Sequence, residues 1–313
     1  MKSKYLKFCE DNAEVSVFAQ PWYLDIVTGA NWDVVLSYDK EEKIVGAWPY
    51  HFSKRKGFSF IQMPPYTPSL GPIINFPDHL NSPYKTNSFY FSQLRELAAQ
   101  LPNAGYININ FPIDGQSWYP LYELGYKQTT RYSYIIDHKL GLDKITSNLK
   151  PKLRNVVLKE VGEFEIRTNE KLEEFVRMLG DTLAGNNAGQ FFYPTNINEL
   201  ITVAINKGVG KVLGYYNQQG EMIAGIFIIE DVKKTYCLFT AKNEEGKKEE
   251  AVSKLIWEGI KESVEKGKDF DFEGSMLPGV EKFFRTFGGE QVAYHQISKI
   301  SNPIMRWYKY IKP

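Results

Sequence analysis

The chain of 313 residues is poor in several things, and each shortage excludes a class. It has two cysteines, Cys9 and Cys237, 228 residues apart (237 − 9). A disulfide framework or a Cys-rich metal site needs more. Its four histidines (His51, His79, His138 and His295) share no metal-ligand spacing, so no metal site is expected. No apolar run approaches the roughly 18 residues of a membrane span. The N-terminal Met1–Lys7 is charged but lacks an apolar stretch, so no secretory leader is expected and the cytoplasm is the expected compartment. There is no charge surplus either: 38 Lys+Arg stand against 37 Asp+Glu. A protein that wraps nucleic acid needs a clear cationic excess, so any basic site must be a local patch.

Aromatic residues are abundant instead, with 20 Phe, 20 Tyr and 6 Trp. They lie on a pattern of alternating strands and helices. Gln20–Gly29 reads as a helix with Pro21 in its first turn and Gly29 as its stop. Asp33–Tyr38 and Lys43–Pro49 read as a hairpin about the polar turn 39–42. Ser59–Pro72 is punctuated by Pro and Gly and reads as an ordered loop. Ser88–Gln100 has helical spacing, Tyr106–Phe111 and Gln128–Ile136 read as strands, and a short helix over Trp118–Leu124 separates them. Farther on, helices are expected at Thr168–Leu183 and Thr195–Asn206. Strands are expected at Lys211–Tyr216, Glu221–Glu230 and Thr235–Ala241. A long helix Glu249–Glu265, a strand Lys268–Glu273, a helix Pro278–Phe287 and a strand Gln291–Ser298 complete the order.

The second half repeats the first. Glu42-x-Ile44-Val-Gly46 matches Glu221-x-Ile223-Ala-Gly225, and Ile107-x-Ile109-Asn110 matches Phe270-x-Phe272-Glu273. In each half a helix-stop glycine, Gly125 or Gly288, follows 15 residues later (125 − 110 and 288 − 273). Agreement of order, residue type and spacing points to a duplicated unit joined near 137–150.

Several residues could carry chemistry. In Pro151–Lys159 the cations Lys152 and Lys159 lie two turns apart on one face with Asn155 between them. Leu149, Leu153 and Val157 take the opposite face. Lys152, Arg154 and Asn155 suit phosphate or carboxylate binding, and a solvated basic face is the alternative. Alternation puts Asp271 and Glu273 on one side of a strand and Phe270 and Phe272 on the other. Paired carboxylates there could deprotonate or orient an attacking amine, whereas Ser275 reads as a turn cap. Asp114, in an Ile-Asp-Gly turn, is a further base candidate, although most such pairs only turn the chain. Tyr66, Thr67 and Tyr193 sit in Pro-containing loops and could line an acceptor cleft. Phe191 and Phe192 beside Tyr193 could face a ligand or pack between domains. Ile304, Trp307, Tyr308 and Ile311 recur at helical spacing, which suggests a C-terminal docking helix rather than a membrane anchor.

A hairpin whose second strand carries a glycine, followed by strand, helix and strand, resembles the GNAT acyltransferase fold, and two such units resemble the Fem-type (FemAB-like) transferases. Leu149-Lys-Pro-Lys-Leu-Arg-Asn155 is similar to that family's basic helix. Asp269–Ser275 with Gly279–Gly288 is similar to its C-terminal strand, loop and helix, and Pro64–Gly71 to its cleft loop. The resemblance implies an α+β, tandem duplicated GNAT-like (acyl-CoA N-acyltransferase) fold with mixed central sheets flanked by helices. It divides the chain into a first unit over 1–140, a second over 141–300, and a C-terminal helix over 301–313 packed on the body.

The implied activity is transfer of an acyl or aminoacyl group to a primary amine, with a cell-wall precursor peptide as candidate acceptor. The donor would be aminoacyl-tRNA or acyl-CoA, with no tightly bound cofactor and with tRNA as a candidate partner. Where the family often has a lysine, four residues before the helix-stop glycine, this chain has Phe284, so Arg285 would have to engage the donor. GNAT enzymes that use acetyl-CoA cradle its pyrophosphate on a Gly-rich loop. Here Thr240–Glu250 holds one glycine and four glutamates, which argues against that donor. The alternatives are a CoA-dependent N-acetyltransferase and a non-catalytic glycan- or peptide-binding module on the same fold.

Overall fold

The structure is a computed structural model that describes residues 1–113, 117–159, 162–185 and 193–306. Two compact units form: one from Met1–Arg131 together with the chain from Ala293 onward, the other from Tyr132–Val292.

Along the chain the first elements are α1 (Lys2–Asp11), α2 (Pro21–Thr28), β1 (Trp32–Tyr38), β2 (Ile44–Arg55), β3 (Phe58–Gln62), β4 (Ile73–Ile74), α3 (Pro83–Gln100), β5 (Tyr106–Asn110), α4 (Tyr119–Glu123) and β6 (Lys127–Ile136). Then come α5 (Gly141–Asn148), α6 (Pro151–Val157), β7 (Glu165–Thr168), α7 (Leu172–Gly185), α8 (Pro194–Asn206), β8 (Gly210–Tyr216), β9 (Met222–Glu230) and β10 (Lys234–Lys242). The chain continues with α9 (Glu244–Lys248), α10 (Ala251–Glu265), β11 (Asp269–Asp271), α11 (Pro278–Arg285) and β12 (Glu290–Ile300).

In the first unit β1, β2 and β3 are successively antiparallel, and β3 then pairs in parallel with β5. In the second unit β8, β9 and β10 are antiparallel, and β10 pairs in parallel with β11. The two orders are the same, which gives the sequence repeat its structural meaning. Gly46 and Gly225 occupy the second strand of each hairpin, opposite Ser37 and Gly214. A Cβ on Gly225 would lie 2.6 Å from the Phe175 ring, so a side chain there would displace α7.

The closing strand of each sheet comes from the other half of the sequence. β12 pairs antiparallel with β5, from Gln296↔Asn110 to Ile300↔Tyr106. β11 pairs antiparallel with β6, through Phe270↔Ile136 and Asp271↔Ile135. The compact units therefore do not follow the two sequence halves, because 293–300 packs with the first unit.

Local chemistry accounts for the element ends. Pro21 opens α2, and Gly29 closes it in the left-handed conformation, with φ 57°. Ser82 caps α3 by accepting the Lys85 N–H, with Pro83 in the first turn, so this helix begins five residues before the Ser88 expected from its apolar spacing. Three strands were not expected from the sequence, one of them the two-residue Ile73–Ile74, which pairs with β2. Phe58–Gln62 lies in the stretch read as a loop but pairs with both β2 and β5, and Glu165–Thr168 pairs with β8.

The second unit's core gathers Tyr134, Leu149, Leu153, Ile226, Ile228, Leu255 and Ile260 around Phe270, Phe272 and Phe287. Phe272 stands 5.1 Å from Phe270 and 5.2 Å from Phe287, ring centre to ring centre. Each such buried ring contributes about 2–3 kcal/mol. Residues 303–306 are helical, and the rest of the expected C-terminal helix lies outside the described residues. Among the described residues no helix is long and apolar enough to cross a membrane.

Candidate active site

The second unit opens where β10 and β11 part. Their parallel ladder runs Lys234↔Asp269, Thr235↔Phe270 and Tyr236↔Asp271, and then ends. At the same level the register of β10 against β9 slips between Cys237 and Phe239, a bulge that turns the strand away. On the other side β11 gives way to two consecutive left-handed residues, Glu273 (φ 60°) and Gly274 (φ 69°). A Cβ on Gly274 would lie 2.0 Å from the Tyr132 carbonyl oxygen, so only glycine fits. Glu273 has no such excuse, and its conformation costs on the order of 1–3 kcal/mol.

Asp271 holds this turn. It is 2% exposed, and its Oδ1 accepts both the Ser133 hydroxyl at 2.6 Å and the Glu273 N–H at 2.8 Å. The Phe272 N–H donates to the Tyr134 carbonyl, at 3.1 Å. The Oε1 of Glu273 is buried and has no hydrogen-bond partner among the described residues. Burial, reinforced by the negative charge of Asp271, pushes the Glu273 carboxyl well above the ordinary carboxylate range. Cys237, at the bulge, is buried, and its thiol is pushed far up by burial and by Glu273, so it stays protonated. The splayed strands thus frame a raised-pKa carboxyl whose Oε1 has no partner among the described residues.

Asp271 and Glu273 are brought together as expected, but not as neighbours on one strand face. β11 ends at Asp271, and it is the left-handed turn that presents Glu273. Ser275 is a cap whose Oγ accepts the Leu277 N–H.

Arg285 sits at the end of α11, its Nε 3.1 Å from Glu281 Oε1. That oxygen also accepts the Tyr134 hydroxyl at 2.6 Å, which in turn accepts from Gln291 Nε2 at 2.9 Å. Burial and then Glu281 raise the pKa of the Tyr134 hydroxyl. Phe284 stands 5.0 Å from Phe272, so this position serves packing.

The basic helix is shorter than its sequence pattern suggests. α6 ends at Val157, which leaves Lys159 beyond it and breaks the expected pairing of Lys152 with Lys159 on one face. Leu149, Leu153 and Val157 are buried as expected. Lys152 is highly exposed and lies 3.6 Å from Glu250, and Asn155 is also exposed. The Lys150 N–H donates to the Thr286 carbonyl, which anchors the α6 start to the end of α11. The start of the helix that carries Lys152, Arg154 and Asn155 is therefore tied to the residue that follows Arg285. Tyr193, half-exposed, is the residue before α8. Phe191, Phe192 and Asp114 lie outside the described residues.

The corresponding gap of the first unit is filled by its own chain. After Gln62↔Asn108 the ladder of β3 and β5 ends, and the segment 64–71 enters. Asn110 holds it there, with Nδ2 donating to the Pro68 carbonyl at 2.9 Å and its carbonyl accepting from the Leu70 N–H. Tyr66 is left-handed (φ 57°), and its carbonyl accepts from the Tyr23 hydroxyl. Thr67 is 7% exposed with its hydroxyl on the Pro65 carbonyl, so it braces this loop instead of lining an open cleft. Asn110, which aligns with Glu273 in the sequence repeat, has become a structural clamp.

The sequence pattern missed Ser133, Tyr134 and Cys237. All three lie on strands remote in sequence from Glu273, and no local spacing marks them. At the start of β11, Asp137, His138 and Asp269 group three potential metal ligands, with His138 Nδ1 2.7 Å from Asp269 Oδ1. That His–Asp bond explains the group without an ion.

No family model matches the sequence, and no curated protein matches it. Solved structures do match the fold. FemX superposes with a TM-score of 0.69 at 13% identity, over 100% of this chain and 98% of that one. L-PGS from Bacillus licheniformis gives 0.58 at 11%, over 99% and 95%. A tandem GNAT protein from the clavulanic acid biosynthesis pathway gives 0.52 at 10%, over 96% and 95%. The chain thus has the α+β tandem GNAT-like fold, of the kind seen in FemX.

Proposed function

We propose that the protein is an N-acyltransferase whose chemistry resides in the second unit, and that it moves an aminoacyl group from an ester donor to a primary amine. The observation that carries this reading is Glu273, a carboxyl of raised pKa at the split of β10 and β11 whose buried Oε1 has no partner among the described residues. Raising the pKa of a carboxylate makes it a stronger base, which suits removal of a proton from an attacking amine. The amine nitrogen forms a bond to the donor carbonyl carbon, and its proton passes to Glu273. As the C–O bond breaks, the leaving hydroxyl oxygen takes a proton. Backbone N–H groups at the β10 bulge are candidates to stabilise the oxyanion. Cys237, held as a thiol, is unsuited to a covalent relay, so attack is direct. Arg285, Lys152, Arg154 and Asn155 would engage the donor, and Tyr193 the acceptor.

The start of α9 speaks against acyl-CoA. The Gly246 N–H is already taken by Asn243 Oδ1 at 2.9 Å, and Glu244 and Glu245 occupy the first turn. A Cβ on Gly246 would lie 2.1 Å from the Ile223 carbonyl oxygen, so this turn is packed onto β9 and leaves no cradle for pyrophosphate. A peptide amine of a cell-wall precursor is the acceptor class we favour, from the likeness to FemX. The test supplies a mixed aminoacyl-tRNA pool or acetyl-CoA, each with a lysine-containing stem peptide, and follows products by mass spectrometry. Aminoacyl addition abolished by Glu273→Gln supports the reading. Acetyl transfer from CoA, or transfer indifferent to that substitution, overturns it.

A further inference from the structure

On the surface of the first unit, the N-terminal half of α3 and the residues leading into α4 enclose an open groove of about 570 Å³. Among the described residues its polar lining is Asn81, Ser82, Thr86, Asn87 and Ser117, and no charged side chain lines it. Local bonds leave much of this chemistry unused. Asn81 Oδ1 accepts from Lys85 Nζ, which leaves the amide NH₂. Thr86 donates to the Ser82 carbonyl, which leaves its oxygen lone pairs. Ser82 and Ser117 accept from the Lys85 and Tyr119 backbone N–H groups, which leaves each hydroxyl hydrogen. Asn87 is exposed. The described lining of amides and hydroxyls therefore keeps both donors and acceptors for a ligand, with the Lys85 ammonium beside Asn81 as the adjoining charge.

A bank of rings follows the lining residues along the chain. Ser117 directly precedes Trp118 and Tyr119, and Asn87 lies one turn before Phe91 on α3. Tyr119 stands 5.9 Å from Phe91 and 6.4 Å from Tyr122, and Trp118 stands 5.7 Å from Tyr122. Tyr119 is 50% exposed and Tyr122 60%, yet contacts with their neighbours fix both rings. At the far edge Arg95 covers Phe91, and its charge is met by Glu123 at 2.6 Å.

We propose that this groove and its tyrosine bank bind a neutral oligosaccharide. A sugar presents apolar C–H faces, which stack on the negative face of an aromatic ring, and vicinal hydroxyls, which pair with amides and hydroxyls. Rings held in place beforehand lose little freedom on binding. Nucleic acid fits poorly, since among the described residues no lining side chain is a cation and Lys85 reaches the groove only through Asn81, too little charge to follow a phosphate backbone. A peptide fits poorly too, since the described lining of the groove contains no strand and is mostly polar, so it offers neither a ladder nor an apolar anchor pocket. The proposal concerns the first unit alone and does not depend on the reading of the second.

The test is calorimetric titration of the full chain with tetra-N-acetylchitotetraose, cellotetraose and maltotetraose, at concentrations into the millimolar range. A poly-uridylate and a proline-rich peptide serve as comparison ligands. Saturable binding of at least one oligosaccharide is expected, weakened about tenfold by Tyr119→Ala and by Tyr122→Ala, and also weakened by Asn87→Ala. Leu6→Ala, an exposed apolar residue on α1, should bind as the parent does. Tyr122→Ala carries the test if Tyr119→Ala does not fold. Failure of all three sugars overturns the proposal, as does sugar binding indifferent to the tyrosines. Tyrosine-dependent binding of the peptide or the polynucleotide alone also overturns it.

Discussion

Asp271 fixes the backbone of Glu273: one carboxylate oxygen takes the Glu273 N–H at 2.8 Å and holds that residue at φ 60°. An acid two residues away thus keeps a second acid in a conformation it would otherwise leave. The arrangement is costly twice over, in backbone strain and in a buried carboxyl oxygen, Oε1, without a partner among the described residues, and costs of this kind gather at functional sites.

Glu273→Gln should therefore stabilise the protein while disabling it. The folded-state pKa of Glu273 lies above its unfolded value. Its contribution to stability is fully present below the ordinary carboxylate range and is lost as pH rises through the raised value. Thermal melts across pH should show this loss in the parent and not in the amide variant, which should melt higher at neutral and alkaline pH. Aminoacyl transfer should fall by roughly 10²–10⁴-fold, the range of a general base. A variant that melts lower than the parent at alkaline pH would contradict the assignment.

Ser133 should matter through Asp271. Its hydroxyl donates at 2.6 Å to a buried carboxylate, and hydrogen bonds to charged groups contribute about 1.5–3 kcal/mol. Ser133→Ala should lower the urea midpoint by a corresponding amount with an unchanged slope. Ser133→Thr, which keeps the hydroxyl, should recover part of the loss.

How much of this was visible beforehand differs by residue. The repeat of Ile44-Val-Gly46 in Ile223-Ala-Gly225 was legible, because a period-2 pattern with a glycine is a local signal. The alternation about Phe270 and Phe272 was legible for the same reason, and both rings are buried. β3 was hidden because Phe58–Gln62 is short, runs into Pro64-Pro65, and owes its place to a parallel partner more than forty residues later. The exchange of β6 and β12 leaves no local mark, since which strand covers an edge is decided by the whole sheet. At the site, the acids could be named but not their geometry. Glu273 is left-handed because of Asp271 and because Gly274 must lie against the Tyr132 carbonyl, a contact that no spacing encodes.

Gly274→Ala isolates that contact. The new Cβ would meet the Tyr132 oxygen at 2.0 Å while the backbone stays at φ 69°. Neither backbone can yield without unpairing β11 from β6. We expect a loss of more than about 3 kcal/mol, or no folded protein. Gly29→Ala, also left-handed but with nothing within 4 Å, should cost only about 1 kcal/mol. Similar losses at the two positions would mean that φ alone is responsible and that the turn is not packed as described.

Cys237 separates direct attack from a covalent relay. It lies at the β10 bulge near Glu273, where a nucleophile could sit, but burial and the neighbouring acid keep it a thiol. A thiol is a poor nucleophile, and a relay through it would leave an acyl-enzyme and ping-pong kinetics. Cys237→Ala removes one buried sulfur, so a modest drop in melting temperature is expected. Its rate of aminoacyl transfer should match the parent's, the initial-rate patterns should be sequential in donor and acceptor, and intact mass spectra should show no acyl adduct. If the variant is inactive while Cys237→Ser retains an adduct, the reaction passes through this residue and Glu273 acts on the sulfur instead of the amine.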